Sequence, residues 1–160
     1  MTNNDLLIRL RYALDLKNKE VVEIFKLGGV EVSFDDVANM LIKVGRDEEP
    51  PEQFKSCSNK LFEAFLNGLI TFKRGPHPTT KGPLPIEGKE SPNNLLMKKV
   101  KIALSLTAED MLDFLYEGGI TVSKGELGAI LRNASHKNYK ECGDSFVRYF
   151  LRGLTTGNRS

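Results

Sequence analysis

Residues Asn3 to about Leu41 recur from Asn93 to about Leu131 at a constant offset of 90 and without a gap. The matched pairs include Asn4/Asn94, Leu6/Leu96, Ala13/Ala103, Leu16/Leu106, Gly28/Gly118, Gly29/Gly119 and Ser33/Ser123. After a slip in a loop the match resumes at an offset of 85, pairing Phe54/Tyr139, Cys57/Cys142, Phe65/Phe150, Gly68/Gly153 and Leu69/Leu154. Repetition on this scale points to one duplicated supersecondary unit packed against its copy. Each unit alone, at roughly 65–70 residues, is marginal for an independent core. The two are therefore expected to share one.

Proline punctuates the chain in two places, at Pro50-Pro51 and from Pro76 to Pro92. The second cluster reads as an extended, mobile linker, with His77 solvated within it. The expected organisation is a first helical repeat over 3–73, a linker over 74–92 and a second repeat over 93–157.

Each repeat reads as about four helices, so the fold class is all-α. Leu6, Leu7, Leu10, Ala13 and Leu14 fall at helical spacing, as do Leu96, Met97, Val100, Ala103 and Leu104, with Asn3 or Asn4 available as a cap. A second helix over about Lys19–Leu27, matched by Ala108–Glu117, is expected to stop at Gly28-Gly29 and Gly118-Gly119. The third opens with Ser33 and Asp36, and with Ser123 and Glu126, the latter spaced as a capping box. The fourth is the most apolar, and Gly68 and Gly153 within it predict close approach of another backbone. Between the glycines and the capping serines, Val30–Val32 and Ile120–Val122 read as two short strands that pair antiparallel between the repeats.

The composition excludes more than it specifies. A net charge of +2 is too small to advertise a nucleic-acid domain, although the second repeat stands at +3 and the first at −1. No apolar run approaches the ~20 residues of a membrane span, and the N-terminal stretch lacks signal-peptide features, so cytoplasm is the expected compartment. Two cysteines make no disulfide framework. At equivalent positions, Cys57 and Cys142 read as small buried residues before a helix. The competing reading is a thiol activated by the helix N-terminus.

Four constellations bear on chemistry. A calcium loop around Gly118 fails, because Leu115 and Lys124 stand where oxygen ligands belong. A recognition helix beginning at Ser33 would present Asp35 and Asp36 to phosphates, and at Ser123 it is only weakly basic. His136 and Asp144 near Cys142 supply the residue types of a thiol site, but the first repeat keeps the cysteine without the histidine. Lys98, Lys99, Lys101, Arg148 and Arg152, with Tyr149 beside them, form the best basic candidate for single-stranded nucleic acid. Against it stands the ordinary role of such residues as the solvated faces of amphipathic helices. No catalytic, metal-binding or cofactor-binding residues are assigned.

The segments RYAL (11–14), FLNGLI (65–70), KRG (73–75), HKNYKECGD (136–144) and YFLRGL (149–154) resemble those of the YehS family, small bacterial proteins of unknown function. The resemblance covers nearly the whole chain, including its duplication. It implies a bacterial cytoplasmic protein and brings no functional residues with it. The expectation is a non-enzymatic protein-interaction or regulatory module that binds another protein in the groove between its repeats; the alternative is a nucleic-acid binder using the basic face of the second repeat.

Overall fold

The computed structural model describes residues 1–76 and 82–159, and these form eight α-helices. They are α1 (Asn3–Ala13), α2 (Asn18–Leu27), α3 (Phe34–Met40), α4 (Asn59–Arg74), α5 (Pro92–Ala103), α6 (Ala108–Gly118), α7 (Lys124–Leu131) and α8 (Asp144–Arg159). The expected solvation of His77 falls outside the described residues.

Helix starts follow short polar side chains that satisfy otherwise unpaired N–H groups. Thr107 and Asp110 close a reciprocal capping box on α6, and Ser33 and Asp36 close one on α3. On α7 the Ser123 hydroxyl accepts from the N–H of Glu126, as expected, but the Glu126 carboxylate takes that hydroxyl at 3.3 Å instead of the Ser123 N–H. The sequence expectation of the fuller box at Ser123 is therefore reversed. The cap of α1 is Thr2, boxed with Asp5, and not Asn3 or Asn4. Those asparagines lie inside the helix because they serve tertiary hydrogen bonds.

Asn4 is buried; its amide donates to the carbonyls of Met40 (3.0 Å) and Lys55 (2.8 Å), and its oxygen accepts from the N–H of Cys57 at 2.9 Å. Asn94 makes the same set with Ile130, Lys140 and Cys142. Each asparagine thus pins the loop that enters the last helix of its half, satisfying two buried backbone groups and one partly buried.

The glycine pairs divide their work differently from expectation. Gly29 (φ +92°) and Gly119 (φ +117°) take the left-handed conformation that ends a helix, whereas Gly28 has φ −83° and Gly118 is still helical. The first glycine of each pair exists for packing. A side-chain carbon at Gly28 would overlap the carbonyl oxygen of Ala64, and one at Gly118 that of Tyr149. From the facing helices, Gly68 meets the Ile24 carbonyl and Gly153 that of Phe114. α2 and α4, and likewise α6 and α8, cross backbone against backbone, as the glycines of the fourth helix predicted.

The expected strand pair is absent: among the described residues there is no strand. Val30 N–H donates to the Phe25 carbonyl and Ile120 N–H to that of Leu115, each at 3.0 Å. These bonds close the preceding helix, so the amides are not available for a ladder.

α2 packs on α4 and α6 on α8, while α1 packs on α8 and α5 on α4. Buried apolar side chains from all eight helices form one cluster, with Phe25 against Phe65 (5.2 Å between ring centres) and Phe114 against Phe150 (6.2 Å) in edge or tilted contact. Full burial of side chains of this size contributes about 1.5–3 kcal/mol each.

The linker was expected to be mobile; its described part is held down. The Glu63 carboxylate, 2% exposed, accepts from the N–H groups of Glu87 and Gly88 at 2.9 Å, and the Asn67 amide donates to the carbonyls of Leu84 and Pro85. Glu90 pairs with Lys98 at 2.6 Å. Residues 82–91 thus strap the outer face of α4, and the helix is buried all round from Phe62 to Leu69.

Candidate binding cleft between the first and last helices

The two thiols offer no reaction centre. Burial pushes both Cys57 and Cys142 up to about 12, and the Asp144 carboxylate adds to the effect at Cys142. Both cysteines are free and buried, as expected of small residues before a helix, and burial works against activation by the helix N-terminus. His136 is exposed and its Nδ1 accepts from the N–H of Asn138 at 3.0 Å, so it is occupied in its own turn. Among the described residues no His, Cys, Asp and Glu cluster suits a metal ion.

Of the five basic residues singled out from the sequence, Arg152 lines a cleft between α1 and α8. Lys98, half-buried on α5, is spoken for by Glu90 and lies 5.4 Å from the Tyr139 ring centre. Burial, reinforced by Glu90, raises the Tyr139 phenol to about 12. Lys99 and Lys101 follow on α5, partly buried. Arg148 and Arg152 lie on α8. The Arg152 guanidinium donates to the Gly118 carbonyl at 3.3 Å and covers the Tyr149 ring at 5.5 Å. The expected stacking neighbour of Arg148 is thereby capped by Arg152 instead.

What the fold does bring together is Arg152 with the outer face of α1. A cleft of about 430 Å³ runs between α1 and α8, lined by Arg9, Arg11, Tyr12, Lys43, Arg152 and Thr156 among others. Its basic groups come from three segments: one exposed face of α1, the loop after α3, and α8. Arg11 is fixed by donation to the Leu16 carbonyl at 3.2 Å, while Arg9 is exposed and Tyr12 is 53% exposed. Among the described residues Asp5 supplies the carboxylate of the lining, and it is committed to the α1 capping box. A cation-rich concavity with an exposed aromatic ring is suited to binding an anionic group beside an apolar one.

Sequence reasoning missed Arg9, Arg11 and Lys43 because the first half has no net positive charge; its acids are spread over other elements. The available signal was local. On α1 the face opposite Leu6, Leu10 and Ala13 carries Arg9 and Tyr12 with no carboxylate after Asp5.

No helix among the described residues is long and apolar enough to cross a membrane. The chain matches the family model described as "Protein of unknown function (DUF1456)" over residues 3–75 and again over 93–160. It is also similar to the uncharacterized protein YehS of Escherichia coli (strain K12), with 41% identity over 154 residues that span 96% of this chain and 94% of the relative. No solved structure is significantly similar.

Proposed function

The chain belongs to the DUF1456 family of proteins of unknown function, and from that footing we propose that it is a non-enzymatic interaction module of two helical repeats sharing one core, with the α1–α8 cleft as its docking surface. The repeat boundaries proposed are 3–73 and 93–157, with the linker between. Support for the repeats comes from the double match to one family model, the paired asparagine clamps and the paired glycine crossings. Support for sharing comes from the continuous buried cluster. A cytoplasmic setting accords with two free buried thiols.

One observation carries the docking reading. The cleft lies where the first helix of one half meets the last helix of the other, and among the described residues no ion pair engages Arg9, Arg11, Lys43 or Arg152. The nucleic-acid reading on Lys98, Lys99, Lys101, Arg148 and Arg152 has weaker support, since Lys98 is paired and Tyr149 is covered.

The test is site-specific photocrosslinking in cells from Tyr12, at the cleft rim, and from Tyr116, which is 68% exposed on α6. A discrete protein adduct from Tyr12 and none from Tyr116 is expected. Adducts to nucleic acid, or equal labelling from both positions, would remove the docking reading.

A further inference from the structure

The strap on α4 has a vacant counterpart. Glu63 and Asn67, which hold it, align with Arg148 and Arg152 at the offset of 85 that pairs α4 with α8. On α4 the covered face is bordered by Gly29, against which Pro83 sits, and by Lys98 of α5, which holds Glu90. On α8 the corresponding borders are Gly119 and α1. Among the described residues no chain segment crosses that face, and Arg152 is exposed on it. The linings correspond in part: Tyr12 and Thr156 line the α1–α8 cleft, and the matching residues Ile102 and Thr71 line a second cavity of about 980 Å³, part of whose wall is Pro83 and Leu84.

We infer that the open face of α8, with its cleft to α1, receives an extended acidic segment of a partner protein, laid along α8 as the strap lies along α4. This deepens the docking reading and rests on it. Extension follows from the strap itself, a proline-containing stretch whose backbone is reached by one carboxylate and one carboxamide of α4, with Glu90 paired to Lys98 at its end. Acidity follows from the exchange of residues. With Arg148 where Glu63 stands and Arg152 where Asn67 stands, a face that accepts N–H groups at one position and donates to carbonyls at the other becomes one that donates at both and carries two positive charges, which suits carboxylates. Arg9, Arg11 and Lys43 extend the positive field along the cleft.

The nearby carboxylates are already engaged, Asp5 in its cap and Asp144 with the Met1 amino group and Asn93, so they compete little for a guest. A single-stranded nucleic acid would want uncovered rings for its bases. Tyr149 lies under Arg152, so a base would find Tyr12 but not Tyr149 to stack on.

The experiment titrates the full chain with a fluorescein-labelled octapeptide of alternating glutamate and proline, its glutamine counterpart, and a labelled octathymidylate. Amide shifts map the site. Saturable binding of the glutamate peptide, weakened by salt, with shifts on α1 and α8, is expected; the glutamine peptide should bind about tenfold more weakly or not at all. Arg9→Glu and Arg148→Glu should each lower affinity about tenfold, and circular dichroism reports whether either has lost its fold. Arg9 is exposed, so Arg9→Glu keeps the test valid if Arg148→Glu unfolds.

No binding at millimolar peptide, equal binding of the glutamine peptide, or tighter binding of the oligonucleotide through the same arginines would overturn the inference. If Tyr12 crosslinks to a protein while the acidic peptide fails, the inference falls and the docking reading stands. Shifts confined to surfaces away from α1 and α8 would remove both.

Discussion

Gly153 in α8 lies against the carbonyl of Phe114 in α6 so closely that a methyl group on its α-carbon would overlap the carbonyl oxygen. The neighbour is backbone inside a helix, so no rotamer change relieves the clash and the helices must part. Overpacking of this kind costs about 1–3 kcal/mol or more. Gly153→Ala and Gly68→Ala should each lower stability by at least that amount in urea melts. Gly128, within α7, has nothing within 4 Å of the equivalent position, so Gly128→Ala should be neutral or raise stability by up to about 1 kcal/mol. Equal effects at Gly153 and Gly128 would mean that the crossing is looser than described.

Close approach was legible because the glycines sit in an otherwise strongly apolar helix, where nothing local explains them. The left-handed residue was not, since Gly-Gly leaves the sequence unable to say which glycine turns and which packs. The strand pair was misread for a related reason. Val30–Val32 and Ile120–Val122 have the right alternation, but Val32 and Val122 use it to pack against the core while the amides of Val30 and Ile120 finish a helix. At the candidate site the sequence gathered Arg148 and Arg152 with lysines of α5 by proximity of composition. The cleft instead joins Arg152 to Arg9, some 140 positions away, a juxtaposition that only packing of α1 on α8 creates.

Asn94 occupies a site where an apolar residue would strand two buried backbone groups, those of Ile130 and Cys142, and a partly buried one at Lys140. Each unsatisfied group costs about 1–3 kcal/mol, partly recovered if water enters. Asn94→Ala should therefore destabilise by roughly 3 kcal/mol or more. Asn93→Ala removes only half-exposed bonds to the Cys142 carbonyl and Asp144, and should cost under about 1.5 kcal/mol. Comparable losses for the two variants in denaturant titrations would argue against the clamp.

The buried thiols set the alkaline limb of stability. Unfolded, a cysteine ionises near its ordinary 9; folded, Cys57 and Cys142 hold their protons up to about 12. Above pH 9 the unfolded chain binds fewer protons than the folded one, so stability is fully present below that pH and declines as pH rises toward 12. Tyr139, raised from 10 to about 12, adds a decline in the same direction. Replacing both cysteines by alanine should flatten the loss between pH 9 and 10, measured by urea melts at fixed ionic strength. Both thiols should also resist iodoacetamide at neutral pH equally. Rapid labelling of Cys142 alone would restore an activated thiol.

The strap depends on Glu63, a nearly inaccessible carboxylate whose hydrogen-bond partners are two amides of the strap itself. Removing it frees the N–H groups of Glu87 and Gly88, which lie near the surface and can turn to water, so the global cost should stay near 1–2 kcal/mol. The local cost is larger in kind. With the longer Asn67 bonds, at 3.3 and 3.5 Å, and the Glu90–Lys98 pair at its end remaining, the strap should lift from α4 more often than the helix itself opens. Hydrogen exchange on Glu63→Ala should show amides 87 and 88 exchanging many times faster while the core amides of α4 change only by the loss in global stability. Glu63→Gln tests the charge separately, since it keeps one acceptor and should restore part of the protection. Unaltered exchange at 87 and 88 in the alanine variant would mean that the strap is held by its prolines and not by this carboxylate.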